Sequence, residues 1–311
     1  MSDYFPAFTL SLDCEGLWGM ADQRSIVNAN VISDASLREA YGSIAGTLQR
    51  NGLRATAAFV TCFASEQDAI RENIDLLEEM AELSPGWFER IVPSVKRGTL
   101  DGWRGSAFFR DLAAAGHEMA WHGTTHLSLS EKTSPQAVEL ELELASRLFR
   151  ELGHTPRTIV FPGNQIGHLS RLKDYGFETY RASLPKGIAS RLTGLANEWN
   201  VFSGHAKDIP AIRDGWEVSP AGHFLNWPSG IRAMVPTLTT VRRWKSILRS
   251  AAENGGYVHM WFHPHNLITA PAMKAAFEEI MHFAGGLVKS GDMANLLVGD
   301  ANRHYRTGTI R

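Results

Sequence analysis

The chain has 311 residues, 44% of them hydrophobic and 21% charged, with a formal net charge of −2. That length can bury one large core or two ordinary ones, and the near balance of charge argues against a nucleic-acid surface or a basic membrane patch. Two cysteines, Cys14 and Cys62, are too few for a disulfide framework. MSDYFPAFTL lacks the cationic start and apolar core of a signal peptide, and no stretch is apolar for long enough to span a bilayer. These features predict a cytoplasmic protein with reduced thiols and no transmembrane segment.

In chain order, β-like runs alternate with helical patterns. FTLSLD (8–13) precedes a helix over 35–50, which stops at Asn51-Gly52. RATAAFV (54–60) precedes a helix over 66–83. The Pro- and Gly-containing stretch 84–104 reads as an inserted loop. A helix over 104–115 ends at Gly116 and leads into HEMAW (117–121). The pattern over 135–152 is the clearest helix. Ser134 can cap it, Pro135 suits its first turn, and Val138, Leu142, Ala145, Phe149 and Leu152 recur at helical spacing before Gly153. TIVFP (158–162) follows, then weaker strand patterns near 177–182 and 215–218 inside or beside a loop-rich region, 187–238, that could lie over a site. Helices over 239–254 and 271–289 flank the strand YVHMWF (257–262).

Strands alternating with helices imply an α/β fold built from βαβ units. Six to eight such units close into a barrel; an open doubly wound sheet is the competitor, but no GxGxxG or GxxxxGK[ST] follows a strand. With no internal repeat or linker, residues 1–311 read as a single domain.

The chemistry-bearing residues cluster after the strands. In FTLSLDCEG, Thr9, Ser11, Asp13 and Glu15 alternate with Leu10, Leu12 and Cys14. In a barrel the polar set faces the axis and puts Asp13 and Glu15 at the C-terminal rim, where barrel active sites are built. Otherwise Glu15-Gly16 simply opens a turn. His122 and His126 follow HEMAW, and two imidazoles four apart can share a metal if the segment coils into a helical turn; the plain alternative is a surface loop. Phe161-Pro162-Gly163-Asn164-Gln165 is a turn first and a binding loop second. His263-Pro264-His265 ends YVHMWF, with His263 placed for acid–base work; the plain alternative is a turn with His265 merely exposed. Trp261 is a candidate sugar contact that reads more readily as core, and Cys14 reads as a buried structural thiol.

With these motifs in this order, the sequence resembles the polysaccharide deacetylase family (NodB-homology, carbohydrate esterase family four), in a branch with Asp-x-Glu. LDCEG matches the first motif, HGTTH the second and WFHPH the late histidine motif. The resemblance implies a distorted (β/α) barrel of about seven parallel strands. It also implies one divalent metal, Zn²⁺ first and Co²⁺, Ni²⁺ or Mn²⁺ as alternatives. Asp13 then corresponds to the base, His263 to the general acid, and Glu15, His122 and His126 to the metal ligands. Members commonly carry an arginine in the third motif that orients the base. Here VFPGNQIG has Val160 and Gly163 instead, and Arg181 is the residue that could reach the site. Asn164, Gln165, Arg181, Asn226 and Trp227 are the candidates for substrate contacts.

The implied function is metal-dependent hydrolysis of an N-acetyl group from an amino sugar. Without an export signal, the expected substrate is a small or carrier-linked sugar in surface-glycan biosynthesis, such as O-antigen or capsule. The ranked alternatives are a deformylase of a lipid-linked amino sugar, an allantoinase-like cyclic amidase, and a non-catalytic carbohydrate-binding relative.

Overall fold

A computed structural model describes residues 5–21, 31–183, 208–226 and 234–306. Ten strands form one sheet: β1 (Ala7–Cys14), β2 (Thr56–Phe59), β3 (Glu118–Trp121), β4 (Thr158–Ile159), β5 (Thr179–Arg181), β6 (Ala211–Arg213), β7 (Trp216–Ser219), β8 (His223–Phe224), β9 (Tyr257–Phe262) and β10 (Ala294–Leu296). Their order is β6-β7-β5-β4-β3-β2-β1-β9-β8. β10 lies along the N-terminal half of β1 and β2 along its C-terminal half. All recorded pairs are parallel except β6 with β7.

The sheet curls strongly. Arg181 on β5 hydrogen-bonds Asp13 on β1, and Ser219 on β7 bonds Tyr257 on β9 at 3.0 Å, although these strands are far apart in the pairing order. This is the expected distorted barrel, but with ten strands among the described residues rather than about seven. The added ones, β6, β8 and β10, are two or three residues long, too short for a period-2 pattern to stand out.

Alternation along β1 does what the sequence requires. Phe8, Leu10, Leu12 and Cys14 join a core with Leu37, Ile44 and Leu48 of helix Asp34–Asn51 and with Phe277, Ile280 and Met281 of helix Ala272–Lys289. A second cluster lies under helix Pro135–Leu152, where Val138 and Leu142 meet Trp121, Ile159 and Trp216. That helix has the predicted ends: Ser134 Oγ accepts from Ala137 N, Pro135 opens the first turn, and Gly153 is left-handed at the C-terminus.

Two expectations are corrected. The helix over 66–83 breaks at Asn73 into Gln67–Glu72 and Ile74–Leu83, because the Asn73 amide bonds back to Ala69 O at 2.9 Å in competition with the backbone. The stretch 84–104 is not loop throughout: it holds helices Pro85–Phe88 and Ile91–Arg97, with Phe88, Ile91 and Val95 buried. Pro85 opens the first of these helices and Pro93 lies in the first turn of the second, where its missing N–H forfeits no intrahelical bond. Among the described residues no helix is long and apolar enough to cross a membrane. Most of the region 187–238 lies outside them.

Candidate metal centre and active site

β1 carries two carboxylates into the curled sheet. Asp13 and Glu15 are only 2% and 4% exposed, so each needs compensation. The chain turns sharply after Glu15 because Gly16 adopts φ +52°; a Cβ there would meet Gly102 O at 2.7 Å. Leu17 N bonds the same carbonyl, and Trp18 Nε1 donates to Trp103 O at 3.0 Å. The inserted segment therefore braces the turn that aims Glu15.

Glu15 faces imidazoles. Its Oε2 lies 3.2 Å from His122 Nε2 and 2.9 Å from His126 Nε2. Its Oε1 lies 3.7 Å from His263 Nε2 and 3.9 Å from His265 Nδ1. Burial alone would raise the Glu15 pKa, but His263, His126 and His122 outweigh it and hold the carboxyl well below its usual range. Burial disfavours charge on both His122 and His126; the Glu15 contact lifts His122 above the ordinary value, whereas His126 stays below it.

His122 and His126 do not share a helical turn. The segment after β3 is irregular, with Gly123 at φ +75° and His126 itself left-handed at φ +65°. Such a conformation costs a non-glycine residue about 1–3 kcal/mol, so the surroundings must fix it. Thr61 N and Cys62 N bond the carbonyls of Gly123 and Thr124 at 3.0 Å. Trp87 donates to Thr125 O at 3.1 Å and stacks on the His126 ring at 5.7 Å. His122 Nδ1 donates to Val160 O at 2.6 Å, which fixes the ring with Nε2 toward Glu15, where it can serve as the ligand atom once unprotonated.

The donor set fits a divalent cation. One ligand atom from each of Glu15, His122 and His126 lies within 4.8 Å of the others. Tetrahedral zinc with bonds of about 2.0–2.1 Å needs ligand atoms roughly 3.3 Å apart, and Glu15 Oε2 is close to that distance from both nitrogens.

The surroundings of Asp13 are different. Arg181 grips it with two bonds of 2.8 Å, NH1 to Oδ1 and NH2 to Oδ2. Arg181 also donates to Ser11 Oγ at 3.1 Å and to Asn164 Oδ1 at 3.0 Å, and its guanidinium lies 4.4 Å over the Trp261 ring. Burial pushes the Asp13 pKa up, but Arg181, His122 and His263 outweigh it and bring the carboxyl below its usual range. Behind this pair, His259 Nδ1 donates to Pro220 O at 2.9 Å, so its Nε2 accepts the Ser11 hydroxyl at 2.9 Å. Burial, aided by Arg181, drives the His259 pKa down to about 3.

His263 closes the site from β9. Its Nε2 is 3.9 Å from Asp13 Oδ2, its Nδ1 faces Asn266 Oδ1 at 3.3 Å, and its side chain is 26% exposed. It is therefore reachable from solvent, unlike the acids beneath it.

Residues 31–180 match the family model described as polysaccharide deacetylase. A Mycobacterium smegmatis protein assigned as a polysaccharide deacetylase superposes with a TM-score of 0.62 at 16% identity, covering 100% of this chain and 93% of its own. A Pseudomonas aeruginosa PAO1 protein with the same assignment gives 0.57 at 14% identity, covering 98% and 92%. Over residues 31–180 the chain is thus similar to polysaccharide deacetylases. The fold alone is also shared with Puue allantoinase, at a TM-score of 0.55, 15% identity, and 97% and 90% coverage. No curated protein sequence matches the chain.

The family-matched span holds His122 and His126 and stops one residue before Arg181. Asp13, Glu15 and His263 lie outside it, yet the fold brings all six together. Among the candidate substrate contacts, Asn164 is bonded to Arg181, and partly exposed Gln165 follows it. Arg181 itself is 2% exposed and committed to Asp13. Asn226 is buried and donates to Thr240 Oγ1 at 3.2 Å. Trp227 lies outside the described residues.

Sequence reading placed several residues differently. His265 is 5% exposed, not an exposed turn residue; burial and neighbouring His263 bring its pKa down to about 4. Trp261 packs on Arg181 and Phe224, on the same face as His259 and opposite Val258, Met260 and Phe262. Its period-2 relation to His259 and His263 was the available signal. Trp87 and Glu141 went unnoticed. An acidic residue three positions after Val138, on the apolar stripe of its helix, was the mark that singled out Glu141.

Proposed function

We propose that this protein is a metal-dependent amide hydrolase that removes an N-acetyl group from an amino sugar. The observation that carries the reading is the division of labour at the end of β1. One buried carboxylate is held by a guanidinium, and the other, two residues away, converges with two imidazole nitrogens. The match of residues 31–180 to the polysaccharide deacetylase model supports the same class of reaction.

Glu15, His122 and His126 would hold the cation. Bound there, a divalent metal supplies a Lewis acid and lowers the pKa of water toward neutrality. Asp13, kept ionised by Arg181, accepts the proton of the attacking water at Oδ2, the oxygen nearer His263. As the water oxygen bonds the acyl carbon, the carbon–nitrogen bond must break against a poor leaving group. His263 Nε2 delivers the proton that lets the amine depart. Its partial exposure suits contact with substrate, and Asn266 orients its ring. Acetate and a free amine result. Arg181 acts through Asp13, taking the place on β5 that the third motif leaves vacant at Val160 and Gly163. Phe224 and Trp261, with rings 5.8 and 5.9 Å from that of His263, would flank an approaching sugar ring, and Gln165 is a further candidate contact.

For the substrate, we favour an N-acetylated amino sugar that is an intermediate of surface-glycan assembly. The test is hydrolysis of a panel: N-acetylated sugar nucleotides, an N-formylated amino sugar on a lipid carrier, and allantoin. Activity on the acetylated sugars should vanish with a chelator and return with Zn²⁺ or Co²⁺. Preference for the formyl substrate or for allantoin would replace the proposed acyl group or substrate class. Turnover that survives complete metal removal would overturn the mechanism.

A further inference from the structure

Glu141 lies completely buried on helix Pro135–Leu152, beneath the segment that joins His122 to His126. Its Oε2 accepts from Thr124 N at 2.7 Å, and both its oxygens lie 3.2 Å from Thr125 N. Thr125 Oγ1 also donates to Oε1. In return, Thr124 Oγ1 donates to the Glu141 backbone carbonyl at 2.7 Å. One side chain thus satisfies both amides at the centre of the turn, on the side opposite the bonds from Thr61, Cys62 and Trp87.

We infer that Glu141 is a positioning residue for the metal centre, setting the separation and aim of His122 and His126 from the helix behind them. The chain between the two histidines has no helical hydrogen bonds to fix their spacing, and it carries positive φ at Gly123 and at His126. A left-handed residue persists only where its neighbours over-determine it. The amides of Thr124 and Thr125 precede His126 directly, so anchoring them fixes where its ring leaves the backbone. Hydrophobic packing could hold helix Pro135–Leu152 without a carboxylate; an acid on that stripe is explained by the donors it meets. Groups that support ligands in this way commonly alter metal affinity about 10- to 100-fold when removed.

The inference rests on the reading that His122 and His126 bind a metal. The test compares wild type with Glu141→Leu, Glu141→Gln and Thr125→Val, each freed of metal and checked for cooperative unfolding. Zn²⁺ affinity is measured by competition with a chromophoric chelator, well below the unfolding temperature. Glu141→Leu should bind Zn²⁺ about 10- to 100-fold more weakly. Glu141→Gln, which keeps the shape and one acceptor, should lie between it and wild type. Thr125→Val perturbs the same contact from the other side, so it reads the clamp even if the Glu141 variants do not fold; it should weaken binding several-fold. Unchanged affinity in the folded variants, with only a lower unfolding temperature, would overturn the inference. If wild type binds no Zn²⁺ at all, the proposed function fails independently. Amide exchange at Thr124 and Thr125 then decides the clamp: faster exchange in the variants upholds it, and unchanged exchange rejects it.

Discussion

Asp13 and Glu15 make a controlled comparison. They leave the same strand end two residues apart, with nearly equal burial, yet they are neutralised by different chemistry. Asp13 has a guanidinium partner, and the two bonds from Arg181 fix the carboxylate plane. Glu15 has only imidazoles, whose nitrogens can exchange a proton for a cation. A carboxylate locked to guanidinium is suited to stay charged and take a proton. A carboxylate among neutral imidazoles is suited to a cation. Environment, not residue type, separates the two roles.

Breaking the Asp13 side should have the largest effect. Asp13→Asn removes the proposed base but leaves a side chain of nearly the same shape, so turnover should fall about 10²- to 10⁴-fold, read from initial rates on the best substrate of the panel. Arg181→Met comes next. It strands Asp13 as a buried, uncompensated charge, a change that typically costs about 3–5 kcal/mol, measurable by denaturant unfolding. The double variant Asp13→Asn with Arg181→Met should recover part of that loss, since the charge is gone.

The smallest expected effect lies one layer further back. Folded His259 stays neutral down to about pH 3, while in the unfolded chain it titrates near 6.5. Between those values the unfolded chain binds a proton that the folded chain refuses, so stability rises with pH across that window. His259→Gln should remove up to about 1.4 kcal/mol per pH unit of that slope. A slope unchanged by the substitution would show that His259 is charged in the fold and that the Ser11–His259–Pro220 chain is drawn wrongly.

How far the sequence could be read follows from where each signal resides. Period-2 alternation in FTLSLDCEG is local, so it separated Asp13 and Glu15 from Cys14, which is indeed packed in the core. Ser134, Pro135 and Gly153 are likewise local signals, and that helix has the expected ends. Long-range partnerships left weaker traces. Arg181 is 168 residues from Asp13, and only the curl of the sheet brings them together. The geometry between His122 and His126 was misjudged because a four-residue spacing suggests a helix, whereas Gly123 and His126 take left-handed conformations that spacing does not encode. Strands β6, β8 and β10 exist because neighbouring strands offer unpaired edges, not because two or three residues carry a pattern.

The most direct measurement of the central claim is the zinc stoichiometry of two single-atom-class variants, Asp13→Asn and Glu15→Gln, by equilibrium dialysis with elemental analysis beside wild type. The account predicts one zinc per chain in wild type and in Asp13→Asn, which binds metal without turning over, and a much weaker or lost site in Glu15→Gln. Zinc retained by Glu15→Gln and lost by Asp13→Asn would reverse the two roles and contradict the account.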